Sequence, residues 1–271
     1  VGILKYIREA EEDSGKEVKY VPVSIVYDLI PDVKDMTLEG RGKNKRPESL
    51  KWFVDYIRKM DGSFGKISIR FGAPVEIDAE NSVAIITDGE HRQVHTGKLS
   101  RFALELVHRI NQVTPVTTTS LICISLLSKF SLNKNTIGRD VIDLMRLIEQ
   151  TKPDALVDRG RPTSKSVQSA LNMLERANII LKHGETLDAK YVLNSDSYLQ
   201  ATYYANMSVH HLYHRAFIEI ALLKSAMIPE EARQEAFWVA IMELRALFKF
   251  EFFFSRKAQF SDEIEANLEL L

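Results

Sequence analysis

The chain has 271 residues, of which 45% are hydrophobic and 27% charged, and its 36 Lys and Arg balance 37 Asp and Glu. This length and apolar fraction exclude a disordered chain, and the near-zero net charge argues against a broad nucleic-acid-binding surface. The single cysteine, Cys123, excludes a disulfide framework and a zinc site built on several cysteines.

Residues 1–78 predict a helix followed by two strands that flank a second helix. Apolar residues recur at helical spacing over residues 2–12, and VKYVPVSIVYD (18–28) is apolar on both alternating faces, as in a strand covered on both sides. A helix is predicted to start at Pro47, and KISIRF (66–71) alternates as a second strand. Strand, helix and strand in this order predict a βαβ unit and hence an α/β domain.

The remainder of the chain is predicted to be mostly α-helical and to divide into three segments. Residues 79–135 form a connecting helical region, in which the apolar run Leu121–Leu127 is too short to span a membrane and is predicted to be core. Residues 136–194 show two helices and then a hairpin, the element order of a winged helix, and residues 195–271 are helical again.

Few side chains have the spacing that a known chemistry requires. No phosphate-binding glycine loop, serine-nucleophile motif or metalloprotease motif is present. His210 and His214 lie one turn apart on a predicted helix, but two His without a third ligand predict packing rather than a metal site. Cys123 is expected to be a small core residue, and we predict no metal and no cofactor.

Positive charge is concentrated in one short segment. Between Glu39 and Arg70 there are nine Lys and Arg and four Asp and Glu, a net charge of +5 in a chain whose total is −1. The cluster precedes a predicted helix N-terminus, and both features favour an anion, such as a phosphate group or an anionic membrane surface. The alternative is a solvated surface with ordinary charge scatter.

Several sequence blocks resemble the glycerol-3-phosphate acyltransferase family, most strongly its bacterial membrane-bound branch. The three tightest blocks are VPVSIVYD (21–28), EGRGKNKRPESL (39–50) and FGKISIRFGAPVEI (64–77). Their order and spacing both fit the family. Arg109-Ile110-Asn111 and the segment Thr202–Asn206, followed by His210, are similar to two further parts of it.

The resemblance implies a fold and an activity. Residues 1–78 would be the C-terminal part of an α/β acyltransferase domain. The activity would be transfer of a fatty acyl group from acyl-CoA or acyl carrier protein to the sn-1 hydroxyl of glycerol 3-phosphate. The product would be lysophosphatidic acid, in the first step of phospholipid synthesis. The protein is expected at the cytoplasmic face of the cell membrane, peripheral or monotopic, with no transmembrane span in this chain.

Two other functions remain open at this point. Dihydroxyacetone-phosphate acyltransferase, a sister family, shares the strand block and the G-x-x-K-x-x-E-S pattern. A winged-helix interaction or nucleic-acid-binding module at residues 136–194 would be a function of another class. The second helix of that segment carries few cations, Lys165 and Arg176, so we expect no nucleic-acid partner.

The catalytic H-x-x-x-x-D block of the family is missing from this chain. Its one match, His183 with Asp188, falls in the predicted hairpin and is expected to be coincidental. We therefore expect the block, with its general base, upstream of Val1. The chain itself would hold no catalytic residue and would be inactive alone.

Substrate binding is expected of six residues in the three blocks. The candidates are Pro22, Tyr27, Arg41, Lys45, Glu48 and Ser49. The two cations would hold phosphate groups of glycerol 3-phosphate or of the acyl carrier. Glu48 and Ser49 would cap or orient their loop, and Pro22 and Tyr27 would shape the acyl side of the pocket.

Overall fold

The computed structural model describes residues 2–44, 49–50, 54, 64–75, 85–88, 91–94, 96–155, 163–185 and 188–271. Its helices are α1 (Gly2–Ser14), α2 (Val33–Gly40), α3 (Thr96–Val113), α4 (Thr118–Ser128), α5 (Lys134–Thr151), α6 (Ser164–Arg176), α7 (Tyr198–Val209), α8 (Tyr213–Ser225), α9 (Arg233–Leu247) and α10 (Lys257–Leu268). Its strands are β1 (Val23–Tyr27), β2 (Ile67–Phe71), β3 (Ile85–Asp88), β4 (His91–Val94), β5 (Ser131–Asn133), β6 (Ile180–His183) and β7 (Lys190–Leu193). Leu50 and Val54 are also helical, and the rest of the helix predicted from Pro47 lies outside the described residues.

The chain forms two compact units, each assembled from separated stretches of sequence. The first unit comprises residues 1–24, 70–113 and 214–271, and the second comprises residues 25–69 and 114–213. The four contiguous domains expected from the sequence stay a prediction.

The core of the second unit is built around α4. The side chain of Thr117 caps the helix by accepting a hydrogen bond from the Ser120 amide at 3.1 Å. Leu121, Cys123 and Leu126 are fully buried, which confirms that this apolar run is core. Helices α5, α6 and α7 pack around it.

The second unit also contains the helix, helix and hairpin order that was expected. Helices α5 and α6 precede the β6–β7 hairpin, and β5 adds a third antiparallel strand in the order β5-β7-β6. Both helices start at capping side chains, because Asn133 accepts from the Thr136 amide and Thr163 accepts from the Ser166 amide. The elements agree with the prediction, while membership of the winged-helix class stays a prediction.

Strands β1 and β2 pair with each other and correct two expectations. Tyr20 bridges Val75 in the antiparallel sense, and farther along the amide of Asp28 donates to the carbonyl of Lys66 at 3.1 Å. The strands therefore run antiparallel, and the βαβ unit is wrong for this pair, because it needs parallel strands. Ile25 is 55% exposed, so β1 is buried on one face rather than on both. An α/β class for the wider domain stays a prediction.

The first unit packs helices from both ends of the chain. Tyr20 stands edge-on to Phe102 with ring centroids 4.8 Å apart, in a cluster next to α1 and α3. The C-terminal helices share a second aromatic cluster, in which Phe254 contacts Phe217 and Phe260. None of the helices in the described residues combines the length and the hydrophobicity that crossing a bilayer needs.

Candidate functional site

A cavity of about 600 Å³ lies in the first unit, where three separated stretches of sequence meet. One wall is Pro22 together with residues 72–75, which end the F-G-x-P block. A second wall is the C-terminal half of α3, with Arg109 of the R-I-N segment. The third is the start of α10, with Arg256 and Gln259. The structure thus brings parts of the first and third sequence blocks and the R-I-N segment to one site.

Backbone hydrogen bonds hold the first wall together. The amide of Gly72 donates to the carbonyl of Pro22, and the amide of Val75 donates to the carbonyl of Tyr20, both at 2.8 Å. A Cβ on Gly72 would lie 3.0 Å from Cγ1 of Val113 and 3.4 Å from Pro22. A side chain at this position would force Val113 to shift, so glycine lets the strand end approach α3 closely.

Among the described residues that line the cavity, the ionisable groups are Glu105, Arg109 and Arg256, one carboxylate and two guanidinium groups. Nε of Arg109 donates to Oε1 of Glu105 at 2.7 Å, which orients the guanidinium and leaves its two Nη groups as donors. Two arginines beside one cavity suit a phosphate group, since a guanidinium binds phosphate oxygens in a two-pronged geometry.

Apolar side chains form another part of the lining. Pro22, Pro74, Val75 and Val113 contribute aliphatic surface next to the arginines. A cavity with both kinds of surface suits an amphiphilic ligand that has an anionic end and an apolar end.

A histidine stands behind the α3 wall. Nδ1 of His108, a buried residue, lies 2.9 Å from the carbonyl oxygen of Phe253. Nε2 of the same ring lies 2.9 Å from the amide nitrogen of Gln112, whose side chain lines the cavity. His108 is therefore the group that holds Gln112 in place.

A carboxylate stands behind the α10 wall. Oε1 of Glu263 accepts a hydrogen bond from the side-chain amide of Gln259 at 3.1 Å. Oε2 accepts a hydrogen bond from the hydroxyl of Ser255 at 2.8 Å and lies 3.2 Å from Nε2 of His214. Burial raises the pKa of Glu263, but hydrogen bonds from His214 and Ser255 and the charges of His214 and His108 outweigh it, so the pKa lies below its ordinary value. Glu263 is thus a carboxylate at neutral pH.

The structure places the six candidate binding residues in different surroundings. Pro22 is buried and lines the cavity. Tyr27 is half-buried at the end of β1, and Arg41 and Ser49 are exposed in the second unit. None of these three is among the residues that line the cavity. Lys45 and Glu48 lie outside the described residues, so their roles stay predictions.

Cys123 and His210 are packed against other parts of the protein. Cys123 is fully buried, and burial raises the pKa of its thiol to about 12, so the side chain is a neutral thiol at physiological pH. The ring of His210 packs against that of His211, with centroids 4.0 Å apart. Within the described part of the chain, no group of three or more His, Cys, Asp and Glu could hold a metal ion.

Sequence reasoning missed the α10 side of the cavity. Arg256 and Gln259 belong to no recognised block, and nothing in their spacing connects them with Arg109. Arg109 itself had a signal in the R-I-N resemblance, although no binding role was assigned to it. The missing information is the tertiary packing that brings α10 next to α3 in one unit.

Comparison with known proteins assigns the family. Residues 36–271 match the family described as "Glycerol-3-phosphate acyltransferase C-terminal region". The match covers most of the chain, including all cavity-lining residues except Pro22. The chain therefore belongs to the glycerol-3-phosphate acyltransferase family, as its sequence blocks predict.

Individual relatives agree with the family match. The chain is 33% identical over 281 residues to the proteins named "Putative acyltransferase plsB1" of Mycobacterium bovis and Mycobacterium tuberculosis, with all of this chain and 43% of each relative aligned. It is 23% identical over 217 residues to the "Glycerol-3-phosphate acyltransferase" of Pseudomonas syringae, with 75% of this chain and 25% of the relative aligned. The chain thus spans less than half the length of these relatives.

Proposed function

We propose that the protein to which this chain belongs transfers a fatty acyl group from acyl-CoA or acyl carrier protein to the sn-1 hydroxyl of glycerol 3-phosphate. The product is lysophosphatidic acid. The first-unit cavity is proposed as part of the substrate site. The observation that carries this proposal is the meeting of Pro22, the F-G-x-P block and Arg109 around a cavity with two arginines and an aliphatic wall.

The reaction needs a base, oxyanion donors and cations. The sn-1 hydroxyl oxygen attacks the thioester carbonyl, its proton passes to a general base, and the thiolate leaves after the oxyanion collapses. We propose that the base lies outside this chain, because its one H-x-x-x-x-D match uses His183, which is exposed on β6. The contribution of this chain is then substrate binding rather than bond chemistry.

Substrate binding divides between charge and apolar surface. Arg109 and Arg256 would bind the phosphate, while Pro22 and Val75 would contact the start of the acyl chain. Arg41 and Lys45 would attract the phosphates of the acyl carrier from the basic segment.

We also propose that the enzyme works at the cytoplasmic face of the cell membrane as a peripheral or monotopic protein. The acyl product supports this proposal, because a lipid with one long chain partitions into a bilayer.

Removal of the Arg109 guanidinium tests the phosphate assignment. In the full-length enzyme, Arg109→Ala should raise KM for glycerol 3-phosphate by about 10-fold or more, since a charge-assisted hydrogen bond contributes about 1.5–3 kcal/mol. KM for the acyl donor should change little. Steady-state kinetics with each substrate varied in turn measures both constants.

Arg101→Ala is the matched control. Arg101 is exposed on the same helix and does not line the cavity, so its variant should keep both constants. Equal kinetics for the Arg109→Ala and Arg101→Ala enzymes would contradict the assignment of the cavity.

A further inference from the structure

We propose that Gln112 and Gln259 present hydrogen-bond acceptors to the C2 hydroxyl of the acceptor substrate and so make the cavity select a polyol phosphate over its keto or deoxy analogues. This inference rests on the proposed function and deepens it. It names two specificity-determining residues on the same cavity walls as the proposed phosphate-binding arginines.

A glutamine follows each of the two arginines by three residues. Gln112 follows Arg109 by three residues on α3, and Gln259 follows Arg256 by three residues at the start of α10. Arg109 and Gln112 lie on one face of α3, Arg256 is the residue that immediately precedes α10, and all four residues line the cavity. The α3 wall and the α10 wall therefore each present one cation and one amide to the same ligand.

The buried carboxylate fixes the orientation of the Gln259 amide. An ionised carboxylate only accepts hydrogen bonds, so the group that Gln259 turns toward Glu263, 3.1 Å away, is its NH₂. Since the Glu263 pKa lies below its ordinary value, this group is ionised at neutral pH. The carbonyl oxygen of Gln259 is then the acceptor that remains for a ligand.

The tautomer of His108 fixes the orientation of the Gln112 amide in the same way. The carbonyl of Phe253 can only accept, so Nδ1 of His108 carries the proton. Nε2 of His108 lies 2.9 Å from the amide nitrogen of Gln112, which can only donate, so Nε2 is the acceptor in this pair. The carbonyl oxygen of Gln112 is thus also left as an acceptor.

Both oxygens remain available within the protein itself. Across the residues that the structure describes, the hydrogen bonds of Gln112 and Gln259 are made through their amide nitrogens. Two acceptors beside two guanidinium groups match a phosphate ester that also carries hydroxyl donors. The C2 hydroxyl of glycerol 3-phosphate is such a donor, whereas the C1 hydroxyl gives its proton to the general base.

The same arrangement disfavours a substrate without the C2 hydroxyl. Dihydroxyacetone phosphate has a carbonyl at C2, which cannot donate and would face another carbonyl oxygen. A site that binds a hydroxyl in this way rejects analogues that lack it, because its polar group is left without a partner. We therefore expect the glutamines to raise specificity more than overall affinity.

The experiment compares three acceptors in the full-length enzyme: glycerol 3-phosphate, dihydroxyacetone phosphate and 3-hydroxypropyl phosphate, which lacks the C2 hydroxyl. The wild-type enzyme should prefer the first by about 10-fold or more in kcat/KM. Gln112→Met and Gln259→Met keep the side-chain length and remove the acceptor. Each should lower kcat/KM for glycerol 3-phosphate about 5- to 10-fold, and the double variant should bring the three acceptors close together.

The control is Gln150→Met, since Gln150 is exposed on α5 in the second unit. It should leave the preference among acceptors at its wild-type value. Equal losses on all three acceptors would show a purely structural role and overturn the inference. A wild-type enzyme that uses 3-hydroxypropyl phosphate as well as glycerol 3-phosphate would also overturn the inference. That result does not depend on whether any variant folds. Failure of the wild type to acylate any of the three would instead overturn the proposed function, and the inference with it.

Discussion

Gly65 illustrates how a single position shapes the turn that leads into β2. Its φ of +80° lies in the left-handed region that residues with a Cβ rarely adopt. A Cβ at this position would also lie 2.5 Å from Oδ2 of Asp28. That carboxylate accepts a hydrogen bond from the Lys66 amide at 2.8 Å, so the turn depends on open space at Gly65.

Gly65→Ala should therefore destabilise the protein. Left-handed backbone costs an alanine about 1 kcal/mol, and displacement of the Asp28 side chain adds to that figure, so we expect a loss of about 2 kcal/mol. Urea unfolding at neutral pH measures the change.

Gly138→Ala is the control for this measurement. Gly138 lies inside α5, and a Cβ there would meet nothing within 4 Å. The substitution should raise stability by about 0.5–1 kcal/mol, because alanine favours the helix. Destabilisation by Gly138→Ala equal to that of Gly65→Ala would contradict this account of the turn.

At the scale of elements, small polar residues let α4 and α7 approach closely. Ser120 and Ser208 are fully buried, and their hydroxyl oxygens lie 2.6 Å apart across the two helices. Thr119, also buried, donates from its hydroxyl to the carbonyl of Asp28 at 2.9 Å. This face of α4 therefore joins its neighbours through hydrogen bonds as well as through apolar contact.

A double-mutant cycle should detect the contact between the two helices. Ser120→Ala is expected to cost about 1–2 kcal/mol, because it removes the partner of the buried Ser208 hydroxyl. Ser208→Ala should cost less, because the Ser120 hydroxyl keeps its hydrogen bond to the Thr117 carbonyl at 2.7 Å. The double variant should cost about 1 kcal/mol less than the sum. Unfolding free energies from urea titrations give the coupling, and strict additivity would show that the two hydroxyls do not interact.

Helices and strands differ in how far the sequence predicts them. The apolar spacing and the Thr117 cap predict α4 and its burial, because both are local properties of a helix. The alternating residues of β1 and β2 predict strands but not their antiparallel pairing, which depends on the path of the chain between Asp28 and Phe64. Exposed Ile25 likewise shows that an apolar strand need not be covered on both faces.

At the scale of the whole molecule, Glu263 links stability to pH. Its lowered pKa means that the folded state holds its proton less tightly than the unfolded chain does. The stabilisation is therefore present above the unfolded pKa of about 4.3 and is lost as the pH falls through the folded value.

Glu263→Gln should destabilise the protein near neutral pH, and its difference from the wild type should shrink as the pH falls from about 5 to 3. Urea unfolding over that range measures the difference. Glu269→Gln, at an exposed position after α10, is the control and should follow the wild type. If the loss of unfolding free energy in Glu263→Gln stays constant with pH, the role of this carboxylate is contradicted.

The residues of the candidate site could be predicted from the sequence only in part. Pro22 and the F-G-x-P block could be found because a resemblance points to them, and Arg109 because its segment has a counterpart in the family. Arg256 and Gln259 could not, because only tertiary packing relates α10 to the other two walls. Orientation of the glutamine amides required knowledge of the buried groups behind them.

The discontinuity of the first unit has a consequence for synthesis on the ribosome. Domains form as their residues emerge, from the N-terminus onward. Residues 25–69 and 114–213, which make up the second unit, emerge before residues 214–271, which the first unit needs. The cavity therefore gains its second arginine only after residue 256 has been made, so nascent chains shorter than this would lack a complete site. The proposed binding of substrate at this cavity would thus begin only after the start of α10 has been made.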